Sequence, residues 1–253
     1  MKKIITQISA LLLSMGIMAS AAQAEDLSVS GDIGVVSQYV WRGVPQTSSK
    51  AAVQGDLGVA LGGLSASVWF SNAYASPNPQ FAGHDVVEFD WTVDYSGDIG
   101  ETGLGYSVGA IGYTYLYDSS SNFPEIYGGL SYGPVSLTAY YNISDSANKA
   151  YLSGDLWIDL GASASVAGFD LSGTLSYANW KNDTVNRPVA SSFKDGFNLV
   201  TVGVSKDLAV SDVTVTPSLT VTVPVIGKDA ANNRNIYGVA ATEEFVAGVN
   251  FSY

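Results

Sequence analysis

The first hundred residues place one arginine among several carboxylates and amides, the combination in this chain best suited to act on a solute. Read with a period of two, Arg42 falls on the polar face of its strand, within reach of Glu88 or Gln54 on neighbouring strands. An inward arginine opposite carboxylates sets a field across a narrow path and sorts solutes by charge and dipole. The alternation predicts an inward wall made of Asp32, Gln38, Arg42, Gln54, Asp56, Glu88 and Asp90.

A second group of acids falls in the middle of the chain. If Leu156, Ile158 and Leu160 face outward, Asp155 and Asp159 point inward on either side of Trp157. Carboxylates then outnumber bases on the inner wall, so a modest preference for cations is expected. The predicted pore-lining site consists of Arg42, Gln38, Gln54, Asp56, Glu88, Asp90, Asp155 and Asp159.

Other chemistries have weaker signals. His84, the single histidine, stands beside Asp85 in a long connection, where a hydrolase site at the rim could lie, but no nearby serine has a distinctive spacing. Asp94, Asp98 and Glu101 could wrap a calcium ion, yet Asp and Gly are ordinary turn formers. The chain has no cysteine, no phosphate loop and no basic stripe. We therefore expect no catalysis, metal, cofactor or nucleic-acid partner.

The segments that carry these residues alternate apolar and polar side chains, which predicts β-strands with one apolar face. The last nine residues alternate most cleanly, with Phe245, Ala247, Val249, Phe251 and Tyr253 on one face. Each signal is weak alone, as in membrane barrels. Twelve strands are predicted, at about 27–42, 53–61, 64–71, 87–95, 104–116, 124–132, 135–143, 150–166, 169–178, 197–206, 209–225 and 245–253.

Short and long connections alternate along the chain, and this predicts the two sides of a barrel. Tight turns are expected where small or polar residues separate two strands, at Gly62-Gly63, Gly133-Pro134, Ala167-Gly168 and Lys206 to Leu208. Longer polar connections run over 72–84, 179–195 and 226–235. Outer-membrane barrels have short periplasmic turns and longer extracellular loops. The pattern therefore predicts an all-β, transmembrane antiparallel β-barrel of about 12 strands.

Aromatic residues near strand ends are expected to form two girdles at the level of the lipid headgroups. Tyr39, Trp41, Phe70 and Tyr141 would lie at the outer rim, and Phe169 and Tyr253 at the inner one. The competing interpretation is a hydrophobic core between two sheets of a secreted, soluble protein.

The N-terminus and the composition point to export. Lys2 and Lys3 precede an apolar run, and Ala22-Gln23-Ala24 has the form of a cleavage site. We expect residues 1–24 to be a signal peptide, cut near Ala24, and residues 25–253 to be the barrel. The net charge is −12, or −14 without the two N-terminal lysines, and only 13% of residues are charged. Such a field disfavours nucleic acids and anionic ligands.

Two resemblances extend this interpretation. Gly248, Phe251 and Tyr253 resemble the C-terminal insertion signal of outer-membrane proteins, which implies the barrel-assembly machinery as a partner. The residues Tyr39-x-x-Arg42-Gly43, Gln46-Thr47, Ala52 to Gly55, Trp69-x-Ser71-Asn72 and Glu88-x-Asp90 resemble, in this order, the TorF-like family of bacterial porins, a family of conserved hypothetical proteins. That resemblance implies an outer-membrane barrel that acts as a pore, without naming its solute.

Together these observations predict an integral protein of the bacterial outer membrane, surrounded by lipid. Its expected function is a porin-like channel for passive diffusion of small hydrophilic solutes. The alternatives are a structural or adhesive barrel with a filled lumen, because side chains fill the interior of small barrels, and a rim hydrolase that uses His84. Nothing in the sequence indicates the oligomeric state.

Overall fold

The structure, a computed structural model, describes residues 27–74, 85–181, 195–225 and 242–253. Within these ranges the chain is all-β apart from one short 3-10 turn at Ser119–Ser121. The strands are β1 (Ser28–Val36), β2 (Val40–Trp41), β3 (Val44–Pro45), β4 (Ala52–Leu61), β5 (Leu64–Ala73), β6 (Val86–Asp98), β7 (Leu104–Leu116), β8 (Phe123–Tyr132), β9 (Val135–Asn142), β10 (Leu156–Val166), β11 (Phe169–Asn179), β12 (Gly196–Ser205), β13 (Leu208–Val210), β14 (Val213–Pro224) and β15 (Glu244–Ser252).

Twelve of these strands close into one antiparallel barrel. Neighbours in sequence pair from β4 to β12, β12 pairs with β14, and β14 pairs with β15. The last strand completes the ring against the first, with Asp32 opposite Ser252 and Val35 opposite Val249. Closure pairs the two strand edges that an open sheet would leave exposed. The all-β fold and the number of barrel strands are confirmed.

The outer face of the barrel is apolar because each strand turns every second side chain outward. Ile33, Leu57, Val93, Leu130 and Phe245 are all at least half exposed. The residues between them point into the lumen and are more buried, as the period of two requires. Among the residues that the structure describes, no helix has the length and apolar character needed to cross a membrane.

Short turns join the strands at one end of the barrel, which we call the turn end. Two-residue turns at 62–63, 133–134 and 167–168 are as predicted, and residues 99–103 join β6 to β7. The turn predicted at Lys206 to Leu208 is wrong. Lys206 still donates its backbone N–H to Pro217, so the strand is only interrupted there, and the chain reverses at Ser211 and Asp212.

The connection between β1 and β4 folds into the lumen, and this corrects the first predicted strand. Strand β1 ends at Val36 instead of running to residue 42. Residues 37–51, which we call the inward segment, then contain the small β2–β3 hairpin, in which Val40 pairs with Pro45. Tyr39 is 5% exposed and Trp41 packs against buried rings, so neither belongs to the expected outer girdle. The barrel end that carries this segment is called the hairpin end.

A second connection at the hairpin end also packs inward. The strand predicted to begin at residue 150 begins at Leu156, and residues 143–155 form an irregular cover. Tyr151 and Leu152 are buried, and the Tyr151 ring stacks on Phe123 at 3.7 Å between centroids. The longer connections predicted over 72–84, 179–195 and 226–235 lie largely outside the described residues.

Candidate functional site

Arg42 lies at the tip of the inward segment, where the backbone turns sharply. Arg42 and Gly43 both have positive φ, of 46° and 76°. A β-carbon on Gly43 would come within 2.7 Å of Leu199 Cδ2, so the tip is pressed against the barrel wall. Only glycine adopts this conformation without steric cost. The turn therefore holds the Arg42 side chain in the lumen.

The guanidinium of Arg42 forms a two-pronged ion pair with Glu125 of β8. Nη1 donates to Oε1 and Nη2 donates to Oε2, both at 2.8 Å. Tyr113 Oη donates a further hydrogen bond to Glu125 Oε2 at 3.1 Å. Side-chain exposure is 10% for Arg42 and 3% for Glu125. A buried pair with this geometry is strongly coupled, because either charge alone would be left without compensation.

Aromatic rings surround the same guanidinium. Its Cζ atom lies 4.4 Å from the Trp41 ring centroid, 5.1 Å from that of Trp157 and 5.4 Å from that of Tyr140. These distances are within the range of cation–π attraction. The charge of Arg42 is thus held by one carboxylate and three ring faces inside the barrel.

The partners expected for Arg42 are engaged elsewhere, and this corrects the predicted geometry. Glu88 is buried and its Oε1 accepts a hydrogen bond from Tyr115 Oη at 2.9 Å. Gln54 is buried and its Nε2 donates to Ser71 Oγ at 3.3 Å. Both residues point inward as predicted, but neither contacts Arg42.

Gln38 fastens the start of the inward segment to the last strand. Its Nε2 donates to Glu244 Oε2 at 2.8 Å and to the Phe245 carbonyl at 3.2 Å. Further along the segment, the backbone N–H of Tyr39 donates to Thr47 Oγ1. The predicted inward position of Gln38 is present, and its role in this structure is to anchor the segment.

Three carboxylates surround a cavity between the inward segment and the wall. The cavity has a volume of about 120 Å³ and is lined by Asp56, Asp90 and Asp159, together with Arg42. Asp159 Oδ1 accepts hydrogen bonds from Trp157 Nε1 at 2.8 Å and Ser176 Oγ at 2.6 Å. Asp90 is 7% exposed, and its Oδ1 has no hydrogen-bond partner among the described residues.

Asp155 does not line this cavity. It lies just before β10, where its Oδ1 accepts from the Lys181 N–H at 2.9 Å and its Oδ2 from the Leu152 N–H at 3.0 Å. Asp155 is buried, but instead of lining the pore as predicted it tethers the cover formed by residues 143–155.

The inner wall changes character along the barrel. Toward the hairpin end the inward side chains are mostly large and apolar or aromatic. Toward the turn end they are small and polar. The latter group comprises Ser65, Ser67, Thr92, Ser107, Gly109, Gly129, Ser131, Ser136, Thr138, Gly161, Ser163, Ser172, Thr174, Thr201, Gly203, Thr216, Ser218 and Thr220.

Sequence reasoning did not select Glu125, Tyr113 or Tyr140 for the site. A signal was present, because Glu125 alternates with Ile126 and shares its inward face with Tyr127. Its pairing with Arg42, 83 residues earlier, required knowledge of the inward segment.

The alternative sites receive no geometric support from the described residues. Asp94 accepts a hydrogen bond from Tyr127 Oη at 2.6 Å in the lumen, whereas Asp98 and Glu101 are exposed near the turn end. Across 27–74, 85–181, 195–225 and 242–253, no three His, Cys, Asp or Glu side chains are grouped to hold a metal ion. His84 lies outside the described residues.

Comparison with known proteins identifies relatives of the sequence and of the fold. The profile of Gcw_chp, described as a bacterial protein of unknown function, matches residues 20–216. No curated protein sequence matches. The fold is similar to the COG4313 outer membrane channel from Pseudomonas putida F1, at 14% identity and a TM-score of 0.52, covering 92% of this chain and 98% of that one. The outer membrane phospholipase A from Escherichia coli is also similar, at 12% identity and a TM-score of 0.45, with the same coverage.

Proposed function

The chain belongs to the bacterial protein family Gcw_chp, whose function is unknown, and we propose that this member is a channel of the bacterial outer membrane. Small hydrophilic solutes would pass through the barrel by passive diffusion, with a modest preference for cations. Residues 1–24 would direct export and be removed near Ala24. In this proposal the protein carries out no catalytic step and needs no cofactor.

The apolar outer surface of the barrel supports the proposed location in a lipid bilayer. Val29, Leu57, Trp91, Val202 and Phe245 are apolar, lie on strands spread around the barrel and are all more than half exposed. In water such a continuous apolar band would be a large unfavourable surface. In a bilayer it is the expected exterior, and closure of the strands pairs the backbone edges that an open sheet would expose to lipid.

The charges inside the lumen are the observation that carries the proposal of a channel. A barrel that served only as a scaffold gains nothing from burying the Arg42–Glu125 pair or an unpartnered carboxylate oxygen, because both are costly to desolvate. Beside them, the hydroxyl and glycine lining of the turn end offers a wall that water can wet. Fixed charges at a narrow point followed by a polar vestibule are typical of diffusion channels.

The balance of charge supports cation preference. Arg42 is compensated by Glu125, which leaves Asp56, Asp90 and Asp159 around the cavity. Lys206 does not offset them, because its Nζ lies 5.0 Å from the centroid of the Phe169 ring, which is exposed on the outer face. The excess of carboxylates therefore attracts cations and repels anions.

A barrel with a filled lumen is the second candidate, and the packing at the hairpin end favours it. Trp41 packs edge-on against Tyr113 and Tyr151, and Tyr113 stacks on Phe123 at 4.4 Å. If the inward segment never moves and water does not pass beside it, the protein is a structural or adhesive barrel.

Recordings from single channels in a planar lipid bilayer separate these candidates. We expect small, discrete current steps, and a reversal potential under a salt gradient that has the sign of cation preference. Migration that changes with heating in a detergent gel establishes that the sample is folded. Folded protein without current steps at any voltage would favour the filled barrel, and a reversal potential of anionic sign would contradict the assigned preference.

The exposed aromatic residues of the C-terminal strand support the proposal that the barrel-assembly machinery recognises this strand. Phe251 and Tyr253 are exposed on the outer face, at 41% and 82%. Replacing Phe251 by Ala is expected to lower the fraction of heat-modifiable protein in outer membranes, while the same replacement at the equally outward Phe245 is expected to have less effect. Equal loss in both variants would argue for a general loss of apolar surface.

A further inference from the structure

The cavity beside the inward segment has a chemical character that limits what it can hold. Three carboxylates line it: Asp56 of β4, Asp90 of β6 and Asp159 of β10. An ionised carboxylate only accepts hydrogen bonds. Arg42, the one cation that the described residues place at the cavity, already gives two hydrogen bonds to Glu125. The cavity therefore presents more acceptors and negative charge than its own residues satisfy.

Asp90 is the clearest sign of a missing donor. The residue is 93% buried, since 7% is exposed, and its Oδ1 has no hydrogen-bond partner among the described residues. An unsatisfied buried acceptor lowers stability, and more so when it is charged. Asp90 also lines the cavity, so a donor placed there would remove this cost.

The remaining lining fits an organic cation better than a metal ion. Metal ions such as calcium need six or more oxygen ligands gathered at short distance, and no such cluster occurs in the described part of the chain. Hydroxyl groups of Ser67, Thr92 and Thr201 lie around the cavity and can accept or donate. Trp69 and Trp157 also line the cavity, and aromatic rings attract cations carrying carbon as well as nitrogen.

The volume limits the size of the ligand. At about 30 Å³ for each water molecule, a cavity of about 120 Å³ holds roughly four waters. A cation with one or two carbon atoms fits without movement of the inward segment.

We propose that the cavity lined by Asp56, Asp90 and Asp159 is a binding site for a small alkylammonium ion, whose N–H groups bond to the free oxygen of Asp90. This inference rests on the proposed channel for the route by which the ion arrives. In this proposal, small alkylammonium ions are the class of solute that the channel selects. The site is occupied one ion at a time, between the polar vestibule and the inward segment.

Titration calorimetry on the folded protein in detergent tests this site. Ethylammonium chloride is the ligand, ethanol is its uncharged counterpart, and tetramethylammonium carries the charge without an N–H donor. We expect saturable heat for ethylammonium, none for ethanol, and weaker binding for tetramethylammonium. Equal heats for ethylammonium and ethanol, or no saturable heat for ethylammonium, would overturn the proposal.

Substitutions identify the residues that bind. Asp90→Asn is expected to weaken ethylammonium binding by about tenfold or more, because hydrogen bonds to charged groups are stronger than those between neutral groups. Asp56→Asn tests the same cavity from a half-buried position if Asp90→Asn does not fold. Asp98→Asn is the control, because Asp98 lies on β6 like Asp90 but is exposed near the turn end. Unchanged affinity in both Asp90→Asn and Asp56→Asn would contradict the assignment.

Conductance separates failure of this site from failure of the channel. Current steps in potassium chloride without ethylammonium binding would leave the channel intact and remove the binding site. Saturable binding in protein that shows no current steps would leave the site and remove the channel. With both present, ethylammonium is expected to reduce the potassium current, and Asp90→Asn to relieve that reduction.

Discussion

The two ends of the lumen are built from different kinds of residue. At the hairpin end, the lumen is packed with rings such as Tyr113, Phe123 and Tyr151 and holds the ion pair of Arg42 and Glu125. At the turn end, the same strands turn serine, threonine and glycine inward, and nothing in the described residues fills the space between them. One barrel thus combines a packed core with a polar vestibule.

In the proposed channel, this difference would let a barrel of twelve strands be both stable and selective. Interiors of barrels of this size lie between those filled by side chains and those with an open channel. Here the hairpin end is filled jointly by the inward segment, through residues such as Tyr39 and Val44, and by rings of the wall and the cover, such as Tyr113 and Tyr151. Substitutions should therefore affect stability at one end and conductance without loss of stability at the other.

The largest effect is expected from removing one partner of the buried ion pair. Glu125→Ala removes the carboxylate that pairs with the buried Arg42 guanidinium, and breaking comparable buried pairs costs about 3–5 kcal/mol. We expect a lower midpoint of thermal unfolding and release of the inward segment, visible as faster proteolysis there. The double variant Arg42→Met with Glu125→Leu is the control and should regain most of the stability. Full stability of Glu125→Ala would contradict the described packing.

Larger side chains introduced at the two ends should have different effects in the packed region and in the vestibule. Ala178 is fully buried beneath the rings, so Ala178→Phe is expected to overpack the core by about 1–3 kcal/mol. Ser163 lies on β10 toward the turn end and is exposed, so Ser163→Phe should leave thermal stability unchanged and lower conductance. The comparison breaks down if the two variants lose equal stability.

The alternation of apolar and polar residues predicts the barrel strands but not the path of the inward segment. The period of two located the barrel strands because one face of each must be apolar. It failed at Tyr39 and Trp41, which continue the alternation of β1 although the chain has left the sheet. Local sequence cannot register that departure, because the reason lies in contacts with Phe123, Tyr151 and Leu199 far along the chain. For the same reason it missed Glu125.

A smaller effect is expected at the tip of the inward segment. Gly43→Ala combines a positive φ, which costs an L-residue about 1–2 kcal/mol, with a β-carbon 2.7 Å from Leu199 Cδ2. Gly133→Ala is the matched control, because its φ is 55° but nothing lies within 4 Å of the added carbon. The difference in their unfolding midpoints isolates the contact with the wall. Equal midpoints would place the tip away from Leu199.

The smallest effect is expected in the cover at the hairpin end. The hydrogen bond from Lys149 Nζ, at 2.8 Å, and one from the Ser153 N–H lower the pKa of Asp145. A lowered pKa stabilises the folded state above the ordinary pKa of the group, and this contribution is lost as the pH falls through the lowered value.

Lys149→Ala should raise the pKa of Asp145 toward its ordinary value and cost less than about 1 kcal/mol, since both side chains are exposed. Titration of the carboxyl group by NMR measures the shift directly. An unchanged pKa would show that the Ser153 bond alone sets it.

Single-channel conductance of a protein without the inward segment tests the central claim most directly. Val36 and Ala52 are paired opposite each other, so residues 37–51 can be replaced by an Asn-Gly turn without altering the barrel register. The control replaces residues 99–104 by the same turn at the other end, between the paired Asp98 and Gly105. We predict a conductance severalfold above the original in the first variant and an unchanged one in the control. Equal conductance in the original protein and the first variant would show that the inward segment is not the constriction.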